Sequence, residues 1–316
     1  MTDRAELHTV WDQVGAVRIR GRVNARALAG DRSAPHVVLV HGLGMATGYL
    51  EPTMRALGDA MPVSALDLPG FGGSRSIMGE YRSLDAALRA PLGMTPPVIP
   101  SERSDRVIPS ERSLTVIPSE RSESRDLHPI RSTLLREFAD ALIEWLRARG
   151  IVAPVLVGQS HGCQVIVEAL SRHPDLGSAL VLNAPTMLAG HRSIVRQLWL
   201  VALDAPREPL SLVPHVARDY LKAGPRRILA TLKDSLRDRI EEKLSAVRAP
   251  VTIVTGARDP VSPPAWCARL AGFVGSGGRL VIVPGAAHAV PFSHPSALAA
   301  EILAMVASVK SLGVRG

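Results

Sequence analysis

Short apolar runs alternate with amphipathic helical stretches along most of this chain. "HVVLVHG" (36–42), "PVSALDLPGFGGS" (62–74), "APVLVGQSHG" (153–162), "SALVLNAP" (178–185), "PVTIVTG" (250–256) and "GRLVIVPG" (278–285) read as strands, most of them running into a Gly or Pro turn. "ATGYLEPTMRALGDAM" (46–61) puts Leu50, Met54, Leu57 and Met61 at helical spacing. "TLLREFADALIEWLRARG" (133–150) places Leu134, Phe138, Leu142 and Leu146 on one helix face and stops at Gly150. "CQVIVEALSRHP" (163–174) is a helix ended by Pro174, and "PSALAAEILAMVASV" (295–309) is a last helix. Strands that are apolar without alternation must be covered on both faces. The pattern therefore predicts an α/β fold, a mostly parallel, doubly wound sheet between two helical layers. "VRIRGRVNARAL" (17–28) does alternate, which suits an edge strand or hairpin.

Two stretches break the rhythm. Residues 186–248 are helical throughout, with Ile194, Leu198, Val201, Leu229, Leu232, Leu236 and Ile240 at helical spacing. Inserted between two sheet strands, they are expected to form a helical cap that divides the core into residues 1–185 and 249–316. The second stretch repeats "VIPSERS" from Val98, Val107 and Val116. Residues 91–130 are rich in Ser, Pro, Glu and Arg and have few groups to bury. They are expected to form a disordered or loosely packed insertion.

Composition narrows the possible functions. The chain has 316 residues, 46% hydrophobic and 21% charged, with a net charge of +8. The basic residues are scattered and often neighbour Asp or Glu, so no nucleic-acid partner is expected. The start "MTDRAELHTVWDQV" lacks an apolar core of signal-peptide length, and no run approaches ~18 apolar residues. A cytoplasmic chain without stable membrane insertion is expected. Two cysteines make no disulfide framework. The ten histidines show no zinc spacing. "PGFGGS" lacks the Lys of a phosphate-binding loop. No metal is expected. Oligomeric state is not written in the sequence.

The chemistry concentrates at Gly158-Gln159-Ser160-His161-Gly162, a G-x-S-x-G after a strand and before a helix. The glycines leave room for the backbones that crowd a strained turn, and the helix N-terminus favours developing negative charge. A serine needs a base, and the base an orienting acid. Asp259 in "TGARDPVSP" and His288 in "VPGAAHAVPF" stand just past later strands, in the order serine, acid, histidine. The backbone N–H groups of His161 and of Leu43 in "HGLG" are the expected oxyanion donors, with His41 a structural turn residue. Asp204 is an alternative acid and His294 an alternative base. Asp67 reads as a turn stabiliser, His173 as a helix-end residue and Cys163 as a packing residue. Arg192, Arg196, Arg207 and Arg218 are assigned to solvated faces rather than to an acidic substrate.

The motifs "HGLG" (41–44), "DLPGFGGS" (67–74), "GQSHG" (158–162), "GARDPVSP" (256–263) and "GAAHAVPF" (285–292) resemble those of the capped serine hydrolases of the α/β-hydrolase fold. The resemblance runs from about residue 15 to 310, outside the repeat and much of the cap. It implies a Ser–Asp–His triad, a cap over the pocket and no cofactor. Gln159 departs from the His or Asn that many relatives carry. The expected reaction is acyl-enzyme hydrolysis of a small-molecule, largely apolar carboxylic ester or lactone. A carbon–carbon hydrolase of a β-diketone-like ring-fission product and an inactive ligand-binding homologue are the alternatives. Dehalogenases and epoxide hydrolases need a carboxylate where Ser160 stands.

Overall fold

The computed structural model describes residues 5–15, 17–76, 133–275 and 277–311. The repeat interval 91–130 lies outside them. The strands are β1 (Leu7–Val14), β2 (Val17–Asn24), β3 (Val37–Val40), β4 (Val63–Leu66), β5 (Arg75–Ser76), β6 (Val155–Gln159), β7 (Ala179–Asn183), β8 (Val251–Gly256) and β9 (Arg279–Val283). They form one sheet in the order β1-β2-β4-β3-β6-β7-β8-β9, with β5 paired to β2. From β4 to β9 all pairings are parallel. β1, β2 and β4 pair antiparallel.

The central strands show why their sequences do not alternate. Along β3, Val37 and Leu39 join one buried cluster while Val38 and Val40 join another. In β6, Val155 and Val157 point one way and Leu156 the other. Each face needs its own apolar side chains, so every position is apolar. The described helices are α1 (Ala25–Leu28), α2 (Glu51–Leu57), α3 (Thr133–Ala148), α4 (His161–Arg172), α5 (Ile194–Asp204), α6 (Val213–Ala223), α7 (Pro225–Ser235), α8 (Ile240–Leu244), α9 (Pro264–Phe273), α10 (Val290–Ser293) and α11 (Pro295–Ser311). Helices α3, α4, α8 and α9 supply one face of the core; α2 and α11 supply the other.

Three details differ from the sequence expectation. β1 carried no strand signal strong enough to read, because only its end residues are buried. It is held by the hairpin with β2 and by Asp12, which accepts hydrogen bonds from Trp145 Nε1 at 2.8 Å and from Arg149. The expected strand over 17–28 ends at Asn24. That buried side chain caps α1 through Ala27 N–H and also accepts from Val63 N–H. The helix expected over 46–61 is a 3-10 turn, Thr47–Tyr49, followed by the short α2.

Between β7 and β8 the chain runs through α5 to α8 without a strand. This excursion does not behave as one unit. Ile240, Leu244 and Val247 are buried in the large core cluster with α4 and α9. Lys243 Nζ reaches Glu168 at 2.6 Å and also Asp238, which accepts from Gln164 at 3.0 Å. A buried polar network thus ties the foot of the excursion to α4.

Candidate active site

Ser160 sits between β6 and α4 with φ 53° and ψ −115°, a region that non-glycine residues rarely adopt. The turn is tight because three backbones meet there. A Cβ on Gly162 would lie 2.3 Å from the Val40 oxygen, and one on Gly158 would lie 2.8 Å from the Cys163 nitrogen. The G-x-S-x-G spacing is therefore a packing requirement at this point. Ser160 N–H donates to the Asn183 oxygen at 2.9 Å, which fixes the turn against β7.

The loops after β8 and β9 bring the other two residues to it. His288 Nε2 lies 3.1 Å from Ser160 Oγ, and His288 Nδ1 lies 2.8 Å from Asp259 Oδ2. Asp259 is buried, and its second oxygen accepts from Val261 N–H and Ser262 N–H, each at 2.8 Å. An ionised carboxylate is only an acceptor. The proton of a neutral His288 ring is thereby held on Nδ1, and the Nε2 lone pair faces the serine hydroxyl.

Two further carboxylates approach from the excursion. Asp204 Oδ1 accepts from His288 N–H at 3.3 Å, and Glu208 Oε1 accepts from Ala289 N–H at 2.6 Å. Asp204 therefore holds the backbone of the histidine loop, while Asp259 holds the ring. Burial raises the pKa of Asp204 and lifts that of Glu208 to about 7. Burial also opposes the protonated form of His288. The Asp259 carboxylate, and then Asp204 and Glu208, nevertheless hold its pKa up to about 9. Glu208 was not singled out from the sequence. The available signal was an acidic pair four residues apart in a stretch, 194–218, with no other acid.

Gln159 takes up a supporting role. Its Nε2 donates to the His288 oxygen at 3.1 Å, and its Oε1 accepts from Asn183 Nδ2. His161 turns its ring away from the serine, against Gln164, Ser235 and the edge of Phe138. Burial lowers its pKa to about 4. Its backbone N–H opens the first turn of α4. His41 accepts the Leu68 N–H on Nε2 at 2.9 Å and so donates Nδ1–H to the Gly42 oxygen at 2.8 Å. Asp67 accepts from Thr47 N–H and Gly73 N–H, each at 2.7 Å. His294 contacts Ser293 at the start of α11 and His173 ends α4. Cys163 packs beneath the turn with Sγ 3.3 Å from the Asn183 oxygen.

The site opens into a cavity of about 450 Å³. Gly42, Leu43, Ser160 and His288 form its floor, and α5, α6 and α7 form its walls through side chains such as Leu198, Val201, Val213, Val216 and Leu232. Asp204 and Glu208 line it too; no Lys or Arg does among the described residues. Arg192, Arg196, Arg207 and Arg218 all lie off the cavity. The described residues hold no group of three or more His, Cys, Asp or Glu side chains that could bind a metal ion.

The sequence profile of the Alpha/beta hydrolase family matches residues 37–301. The chain belongs to the alpha/beta hydrolase family. The parallel sheet with its antiparallel N-terminal edge is the scaffold of this alpha/beta hydrolase. Its solved structural neighbours include 2-hydroxy-6-oxo-6-phenylhexa-2,4-dienoate hydrolase from Rhodococcus sp. strain RHA1, at 16% identity and TM-score 0.67, covering 95% of this chain and 99% of that one. The enol-lactonase from Burkholderia xenovorans LB400 aligns at 15% identity and TM-score 0.65, over 94% and 100%. A bacterial membrane phospholipase A aligns at 18% identity and TM-score 0.63, over 96% and 87%. At such identities the likeness concerns the fold. No protein of curated function matches this alpha/beta hydrolase in sequence.

Proposed function

We propose that the protein is a serine hydrolase cleaving a carboxylic ester or lactone through an acyl-enzyme. Ser160 Oγ attacks the carbonyl carbon as His288 Nε2 takes its proton. Asp259 keeps the ring oriented and stabilises its positive charge. The N–H groups of Leu43 and His161 hold the oxyanion, aided by the N-terminal end of α4. His288 returns the proton to the leaving alcohol, and a water activated by the same ring releases the acid. Helices α5 to α7 serve as the cap. The observation that carries the reading is the hydrogen-bonded series Ser160–His288–Asp259 on a positive-φ turn, open to an apolar cavity.

The wall chemistry favours this reading over carbon–carbon bond hydrolysis. A dienoate of the kind named for the Rhodococcus neighbour carries a carboxylate. Here the cavity presents Asp204 and Glu208 and, among the described residues, no Lys or Arg to pair with a substrate carboxylate; its one basic group, the His288 ring, is already held by Asp259. An uncharged ester fits that wall; an anion meets like charge.

Incubation with a fluorophosphonate followed by intact-mass analysis tests the proposal. One adduct is expected on the wild type and none on Ser160→Ala. Absence of an adduct on folded wild-type protein would overturn the reading. Loss of any one of the three residues is expected to lower kcat on the order of 10⁴-fold or more.

A further inference from the structure

The outer face of the excursion has a composition unlike the rest of the surface. Val195, Leu198, Trp199, Leu210, Val213 and Leu221 are all exposed there, Leu210 by 86% and Leu221 by 83%. Elsewhere the exposed large apolar side chains among the described residues are scattered, as with Trp11, Leu28 and Val152. Leu198 and Val213 also line the cavity, so this patch continues into its mouth.

The charges on this face are segregated. Residues 194–229 contain three acids. Asp204 and Asp219 are buried, and Glu208 is turned inward onto Ala289 N–H. The exposed charges are basic: Arg196, Arg218, Lys222 and Arg226. Arg196 lies over the exposed Trp199 ring, 4.7 Å from its centroid. Arg218 pairs with Asp219 at 2.9 Å and remains half exposed. The face is thus apolar and basic, with no exposed acid among the described residues.

A second copy of this chain would set this basic face against another carrying the same sign, and each copy has a net charge of +8. An anionic lipid surface suits both halves of the composition. Apolar side chains enter the acyl boundary, Arg and Lys meet the headgroup phosphates, and a Trp sits at the interface between them. No helix among the described residues is long and apolar enough to cross a membrane, so the association is with the surface.

We infer that the outer face of α5 to α7 docks on an anionic phospholipid surface and turns the mouth of the cavity toward it. A substrate reaching Ser160 would then be a lipid-phase acyl ester. That last clause rests on the serine-hydrolase reading; the docking does not.

Vesicle co-sedimentation of the full-length Ser160→Ala chain tests docking without turnover. It should sediment with vesicles of phosphatidylcholine mixed with phosphatidylglycerol, and less with phosphatidylcholine alone. Binding should weaken as salt is raised. Two double variants in the same background, Trp199→Ser/Leu221→Ser and Arg196→Glu/Lys222→Glu, should each bind roughly tenfold or more weakly. With Ser160 restored, both should keep the melting temperature and the turnover of a soluble short-chain ester. Failure to sediment at low salt, or undiminished binding by both folded double variants, would overturn the inference. So would a dimer that these substitutions disperse and that ignores vesicles. Vesicle binding by a folded wild-type chain that takes no fluorophosphonate label at Ser160 would sink the hydrolase reading and leave the docking standing.

Discussion

At the scale of single residues, the charge around His288 decides the working pH. A ring held at about 9 is mostly protonated near neutrality and cannot accept a proton from Ser160. kcat/KM is therefore expected to rise through an alkaline limb near pH 9. Glu208→Gln keeps an oxygen for the Ala289 N–H and removes only the charge. It should move that limb to lower pH, and Asp204→Asn should do the same. Glu208→Ala should also lower kcat, because the Ala289 N–H loses its acceptor. A pH–rate profile of each variant on one soluble ester checks this. A limb that stays in place would show that the excursion's carboxylates do not govern the ring. Ser160, Asp259 and His288 were legible in the sequence because each follows an apolar run in a glycine-bearing stretch. Asp204 was read as a rival acid for the ring. Its contact with the loop backbone 84 positions away has no local pattern.

At the scale of elements, the short helix α8 anchors the excursion between β7 and β8 to the core. Its Lys243 compensates Glu168 on α4 and the buried Asp238 together. Burial raises the Asp238 pKa, Lys243 opposes that rise, and the nearby Glu168 adds to it. Lys243→Met removes the cation and leaves both acids. It is expected to cost about 3–5 kcal/mol, read from denaturant unfolding at neutral pH. The simultaneous replacement of Lys243, Asp238 and Glu168 by apolar residues should recover much of that loss. The sequence shows 186–248 as one helical interval, since periodicity cannot tell a helix packed on the sheet from one packed over a cavity. Only the partners of Ile240 and Leu244 make the distinction.

At the scale of the whole molecule, stability should peak near pH 6.5. Desolvation holds the half-buried His36 and the buried His161 down to about 4, and burial lowers the pKa of His41 as well. These groups fold neutral, so their contribution is complete above 6.5 and is lost as pH falls toward 4. His288 runs the other way. Its pKa rises on folding from 6.5 to about 9, so its contribution is present below 6.5 and is lost as pH rises through 9. Glu208, raised to about 7, loses its contribution between 4.5 and 7 and so offsets part of the histidine gain on the acid side. Thermal melting across pH 4–10 should give a dome, and His288→Gln should flatten its alkaline side. Activity would then increase over the range in which stability falls. An alkaline side as steep in His288→Gln as in the wild type would assign the decline to other groups.

The sequence alone determined what repeats locally. Strands apolar at every position call for two covering layers, and the layers define the doubly wound sheet. The glycines at 158 and 162 bracket a serine where three backbones must pass. Tertiary structure decided what depends on residues far apart in the chain. It added β1, whose alternating residues are half exposed and whose place depends on Asp12 meeting α3. It set Glu208 on the histidine loop. It also left Arg196, Arg218, Lys222 and Arg226 exposed on the excursion while burying Asp204 and Asp219 and turning Glu208 inward. Periodicity reports which side of an element is apolar. The neighbour that side meets, and the sign of charge left outside, follow only once the chain has closed on itself.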